Sequence, residues 1–183
     1  MSRDTLDVIK TRRVIRNMTE QPLEQENLEK ILEAARWAPV GGNQRIHRFV
    51  AVQDPTLLRL LRMVSPGMLQ KPQAVILICI DWDAVESENF SEREKAPYID
   101  IGSQMQTMML AAHALGVGSG PVTSFSREAV RVILNIPSNL EPYLMVTLGY
   151  AAPTKQMPMQ ASIRGKKKKV TWQSLTDWER YAS

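Results

Sequence analysis

Three arginines fall within the short stretch Arg12-Arg13-Val14-Ile15-Arg16. A guanidinium fork matches phosphate oxygens, so this spacing can clamp a phosphate or a flavin; the plainer alternative is a solvated basic face. Two glycine-bearing segments accompany it. Val40-Gly41-Gly42-Asn43, directly after Pro39, can adopt unusual backbone angles. Gly116, Gly118, Gly120 and Pro121 read as a tight turn in which backbone can approach a ligand closely. That turn is no dinucleotide loop, because it follows a helix rather than a strand and its glycines are wrongly spaced. A second basic run, Arg164 to Lys169, offers another phosphate contact or another solvated face.

Chemistry borne by the protein itself is sparse. His47 and His113 are the only histidines, and no Cys, His and carboxylate spacing suggests a metal site. No G-x-S-x-G elbow supports a serine nucleophile. Cys79 lies inside the apolar run AVILICI, with no charged neighbour in sequence to lower its pKa, and reads as a packing thiol. What remains is a set of loops at helix ends, suited to holding a cofactor that does its own chemistry.

The element that positions these loops is a long helix. From Ile101 through Ser126 there is no Asp, Glu, Lys or Arg. Ile101, Met105, Met108, Ala112 and Leu115 recur at steps of four and three and share one face. Met109, Ala111 and Ala114 widen the apolar surface, so the helix is expected to be buried on more than one side. Gly116 stops it. Leu23 to Ala38 reads as an amphipathic helix with Leu28, Ile31, Leu32 and Ala35 inward. Asp4 to Arg13 reads as a short first helix with Leu6 and Ile9 inward. Strands are expected at His47 to Gln53, Ala74 to Ile80 and Tyr143 to Tyr150, the middle one buried on both faces. Asp54 and Pro55 open a helix to about Val64, and Ser126 caps Arg127 to Asn135. Trp82 to Pro97 reads as a polar excursion, and Ser174 to Tyr181 as a short final helix.

A length of 183 residues with 44% apolar content suits a single domain, residues 1–183, with a substantial core. The net charge of +4 suggests anionic ligands. No apolar run approaches ~20 residues, so no membrane span is expected. The start lacks the features of a secretory signal, and a lone cysteine fits a reducing cytoplasm. The basic runs lack the aromatic platforms or recognition helix of a nucleic-acid module, so no nucleic-acid partner is expected.

In order and spacing, these segments resemble the FMN-dependent nitroreductase family over nearly the whole chain. Arg12 to Arg16 resembles its R-x-S-x-R/K motif, and Ala38 to Asn43 its A-P-S-x-x-N, followed by the strand at Arg48-Phe49. Asp100 to Gly118 resembles D-x-G-x-x-x-Q-N-x-x-L-A-A-x-x-L-G-x-G, the family's dimer-interface helix. Pro121 to Phe125 resembles the loop facing the flavin ring, and Leu148-Gly149-Tyr150 the late strand. Val14 and Val40 stand where the family usually has Ser, Arg45-Ile46-His47 replaces Q-P-W, and Thr107 replaces Asn.

The resemblance implies an α+β fold with a central mixed sheet flanked by helices, in an intertwined homodimer. It implies FMN as cofactor, with Arg12 and Arg16 on its phosphate and the polar ring edge. Arg13 and Val14 would lie along the ribityl chain, and Asn43 on the pyrimidine edge with Val40 and Gly41 nearby. Pro121, Val122, Thr123 and Ser124 would approach the ring, and Lys167 and Lys169 the phosphate. The implied activity is NAD(P)H oxidation coupled by a ping-pong mechanism to nitroaromatic, quinone or similar conjugated acceptors. A non-catalytic FMN carrier or sensor is the alternative.

Overall fold

Every residue of Ala74–Asp81 (β2) is buried, and both of its edges are paired, so it is an inner strand of the sheet. The computed structural model describes residues 4–87, 95–153 and 171–178. The strand order is β1-β2-β4-β3, with β1 at His47–Val52, β3 at Gly118–Val122 and β4 at Leu140–Gly149. All three ladders are antiparallel; the parallel component is an isolated bridge from Val14 to Ser119 on β3. The α+β class with helices flanking a sheet holds.

The period of two along β2 divides the core. Ala74, Ile76, Ile78 and Ile80 face α2 (Gln25–Arg36) and α5 (Ala96–Ala114), meeting Leu28, Ile31, Ile101, Met108 and Ala112. Val75, Leu77 and Cys79 face α3 (Pro55–Met63) and α6 (Arg127–Ile133), meeting Leu58, Leu61 and Val130. Cys79 is fully buried, and burial pushes its thiol up to about 12, as expected of a packing residue. Asp54 and Ser126 cap α3 and α6 through bonds to Leu57 N and Ala129 N.

Helix α1 (Thr5–Thr11) is capped by Asp4, which accepts from Leu6 N and Asp7 N. It turns Val8 inward, whereas Leu6 and Ile9, expected inside, are exposed. One helix face can pack on this protomer, and the spacing of Leu6 and Ile9 places them off it. Trp82–Ser87, expected as an excursion, forms a short helix α4 whose Val85 joins the core. Gly118 to Pro121, expected as a turn, is strand β3 together with Val122. Beyond Ala152 a separate unit begins, in which Trp172–Leu175 forms one 3-10 turn in place of the expected helix start at Ser174. No helix among the described residues is long and apolar enough to cross a membrane.

Candidate functional site

Arg12 and Arg13 follow the last turn of α1 and have different surroundings. The Arg13 Nη1 donates to the carbonyls of Lys10 and Arg12 at 2.7 and 2.8 Å, closing the helix C-terminus. Arg12 is half-buried, and its Nε and Nη1 are shielded from solvent with no acceptor among the described residues. Charged donors sealed without an acceptor are costly, and an anion is the group that satisfies them. Arg16 is exposed and makes no ion pair with a described residue.

Between the two arginines the chain runs beside β3. Val14 bridges Ser119, and Ile15 N donates to Ser119 O at 2.9 Å. This explains Gly118: a Cβ there would lie 2.9 Å from the Ile15 side chain and 3.0 Å from the Gly149 carbonyl. The glycine serves close packing within the chain. At the far end of β3, Val122 is buried while Thr123 and Ser124 are exposed. That exit is braced by the segment after α3, since Gly67 N donates to Ser124 O at 3.1 Å and Ser126 N to Val64 O at 2.9 Å. Gln70, a buried brace with no sequence signal, donates to Thr147 Oγ1 at 2.7 Å, and that hydroxyl donates to Gly120 O at 2.9 Å.

The Val40–Asn43 segment forms a 3-10 turn over Gly41–Asn43, with φ of 60° at Gly42 and 56° at Asn43. Gly41 N donates to both oxygens of Asp100, at 3.1 and 3.2 Å. Asn43 Oδ1 accepts from Arg45 Nη2 at 3.3 Å, and Arg45 Nη1 donates to Arg36 O at 3.0 Å. A cleft of about 500 Å³ opens beside the turn, lined by Gly42, Asn43, Gln44, Arg45, Ile46, Arg48 and Ala84. Behind it His47 is buried, with Nε2 at 2.9 Å from Pro97 O and Nδ1 at 3.4 Å from Gln104 Nε2. Burial pushes the His47 pKa down, against the opposing pull of the Pro97 carbonyl and the Asp100 charge. Among the described residues no cluster of His, Cys, Asp and Glu could hold a metal.

The two halves of the expected site sit at opposite ends of α5. Thr11, next to Arg12, bonds His113 Nε2 at 2.9 Å in the last turn, whereas Gly41 is held by Asp100 near the first. At 1.5 Å per residue these anchors are roughly 20 Å apart along the helix. Arg12 thus follows the residue held at the last turn of α5, and Val14 lies beside Ser119 of β3, which runs on through Pro121 and Val122 to Thr123 and Ser124. Val40, Gly41 and Asn43 belong to the segment that Asp100 holds at the other end of α5. Lys167 and Lys169 lie outside the described residues.

Comparison with known proteins agrees with this architecture. Residues 9–78 and 67–150 match the Nitroreductase family. The chain is 32% identical over 162 residues to an Archaeoglobus fulgidus protein named as an NADH dehydrogenase/NAD(P)H nitroreductase, covering 83% of this chain and 88% of that one. A nitroreductase family protein from Clostridium difficile 630 superposes with a TM-score of 0.80 at 28% identity, over 98% of this chain and 100% of its own. An FMN-dependent nitroreductase from Clostridium difficile R20291 has a TM-score of 0.69 at 25% identity, over 88% and 96% of the two chains. With the family match reaching from α1 to the end of β4, and a relative 32% identical over 83% of the chain, this chain belongs to the nitroreductase family.

Proposed function

We propose that the protein is an FMN-dependent oxidoreductase that draws electrons from NAD(P)H. The carrying observation is Arg12, whose sealed Nε and Nη1 fit a phosphate or another anionic edge of the cofactor. When bound, FMN supplies two-electron exchange from NAD(P)H to a nitroaromatic, quinone or similar conjugated acceptor, the donor leaving before the acceptor binds. The chain's own part is to bind and orient. Arg12 and Arg16 hold the phosphate and polar edge, and Arg13 and Val14 follow the ribityl chain. Thr123 and Ser124, braced from behind by Gly67 and preceded by Pro121 and Val122, present backbone to the ring. Residues 1–183 act as one functional domain, and a cytoplasmic location belongs to the same proposal.

The homodimer is part of it. A pyrimidine-edge contact from Asn43 and a phosphate contact from Arg12 at opposite ends of one helix are reconciled when two α5 helices pair head to tail. Each site then takes Arg12 from one protomer and Asn43 from its partner. The uncovered side of α5 supports this reading. Ile99 is 70% exposed, and a Cβ placed on Gly102 meets nothing within 4 Å. Aligned backbones can approach closely at such a position.

The deciding experiment is anaerobic mixing of NADH or NADPH with the purified yellow protein. Bleaching of the flavin band, reversed by menadione or a nitroaromatic, is expected. A flavin-loaded sample that neither nucleotide bleaches would instead indicate a carrier or sensor.

A further inference from the structure

We propose that the cleft between α2, β1 and the first half of α5 binds a small planar organic acid carrying a hydrogen-bond donor. It encloses about 300 Å³ and is lined by Ala35, Arg36, Arg45, His47, Phe49 and Gln104. That is the lower end of the range for small-molecule sites, room for one substituted ring.

Charge lies at the mouth, where Arg36 and Arg45 are exposed. Arg36 is committed to Glu33 through bonds of 2.8 and 2.5 Å and stacks on Trp37 at 4.6 Å. Arg45 bonds only neutral oxygens, those of Arg36 and Asn43, so its charge has no carboxylate partner among the described residues. An entering carboxylate meets it there.

The floor is polar and uncharged. His47 is 7% exposed and Gln104 4%. Because His47 Nε2 faces the Pro97 carbonyl, the proton resides on Nε2 and Nδ1 is an acceptor. Gln104 Nε2 serves that acceptor through a long 3.4 Å bond, which leaves Gln104 Oε1 buried without a donor. A terminal amide torsion is soft, so Gln104 can turn its oxygen toward the cleft and exchange a long bond for a short one from a ligand hydroxyl. Phe49 supplies the flat apolar wall. The arrangement therefore reads carboxylate on Arg45, ring on Phe49, and donor on Gln104. It stands independently of the flavin reading, although Arg45 joins this cleft to the Asn43 turn.

The test is calorimetric titration of 4-hydroxybenzoate and 4-methylbenzoate into the full-length, flavin-loaded protein at physiological salt. Saturable binding of one 4-hydroxybenzoate per chain is expected, several-fold tighter than its methyl analogue. Arg45→Gln should weaken both acids about ten- to a hundredfold, the effect of one charge-assisted hydrogen bond. Gln104→Met should remove only the preference for the hydroxyl. If that variant does not fold, the wild-type comparison of the two acids carries the point, and equal affinity overturns the donor assignment. No saturable binding, or binding indifferent to Arg45→Gln, overturns the site. Acid binding that perturbs the flavin spectrum and ignores both substitutions belongs to the ring and also overturns it. If NAD(P)H still bleaches the flavin while no acid binds, the cleft assignment falls and the oxidoreductase reading stands.

Discussion

Asp100 receives the backbone N–H of Gly41 on both carboxylate oxygens, at 3.1 and 3.2 Å, while only 4% exposed. No cation pairs with this carboxylate among the described residues. The bond to Gly41 fixes a turn that carries a residue with positive φ, Asn43, to the first turns of α5. Asp100→Ala should leave the Gly41 amide unpaired and destabilise the protein by about 1–3 kcal/mol in urea unfolding. Asp100→Asn, which keeps an acceptor, should lose less. Equal losses in the two variants would show that the hydrogen bond to Gly41 is not what the carboxyl contributes.

Removing the phosphate clamp should separate FMN from riboflavin. Arg12→Ala is expected to weaken FMN by about 1.5–3 kcal/mol, the range for a charged hydrogen bond. The double substitution of Lys167 and Lys169 with Gln should likewise weaken FMN far more than riboflavin, which lacks the phosphate. Fluorescence titration at physiological salt, where charges beyond roughly 8 Å are screened, distinguishes contact from general attraction. Equal losses for both flavins would exclude these residues from the phosphate.

Gly102 tests the paired-helix arrangement. Within one protomer a Cβ added there meets no atom within 4 Å, and replacing a helical glycine favours the helix by up to about 1 kcal/mol. Gly102→Leu should therefore keep the fold yet shift sedimentation toward monomer and release flavin. A stable, flavin-loaded Gly102→Leu dimer would place the interface elsewhere.

His47 gives acid stability a defined sign. Burial lowers its folded-state pKa, so the neutral ring belongs to the folded state, and the contribution is present above the unfolded value of about 6.5. As pH falls below that value the unfolded chain gains the proton first, and stability declines until the folded pKa is passed. His47→Gln should flatten this limb of the stability curve below about pH 6.5. Parallel wild-type and variant curves would mean that His47 titrates alike in both states.

Local pattern was enough for much of this protein. The 3.6 period of Leu28, Ile31 and Ala35 marked α2, and the unbroken apolar run at Ala74 marked the central strand. Asp54 and Ser126 announced helix starts because a cap depends on neighbours within one turn. The order of the arginine, glycine and long-helix motifs carried the family. Tertiary structure decided what depends on residues far apart in the chain. Gly118 to Pro121 resembled a turn, yet pairing with β4 and the approach of Ile15 make it a strand. Gln70, Asp100 and Gln104 acquire their roles only from Thr147, Gly41 and His47, partners 57 to 77 positions away. Within one protomer the length of α5 keeps Arg12 and Asn43 apart, a separation no local motif shows, because a helix fixes distance along its axis whatever its sequence neighbours suggest.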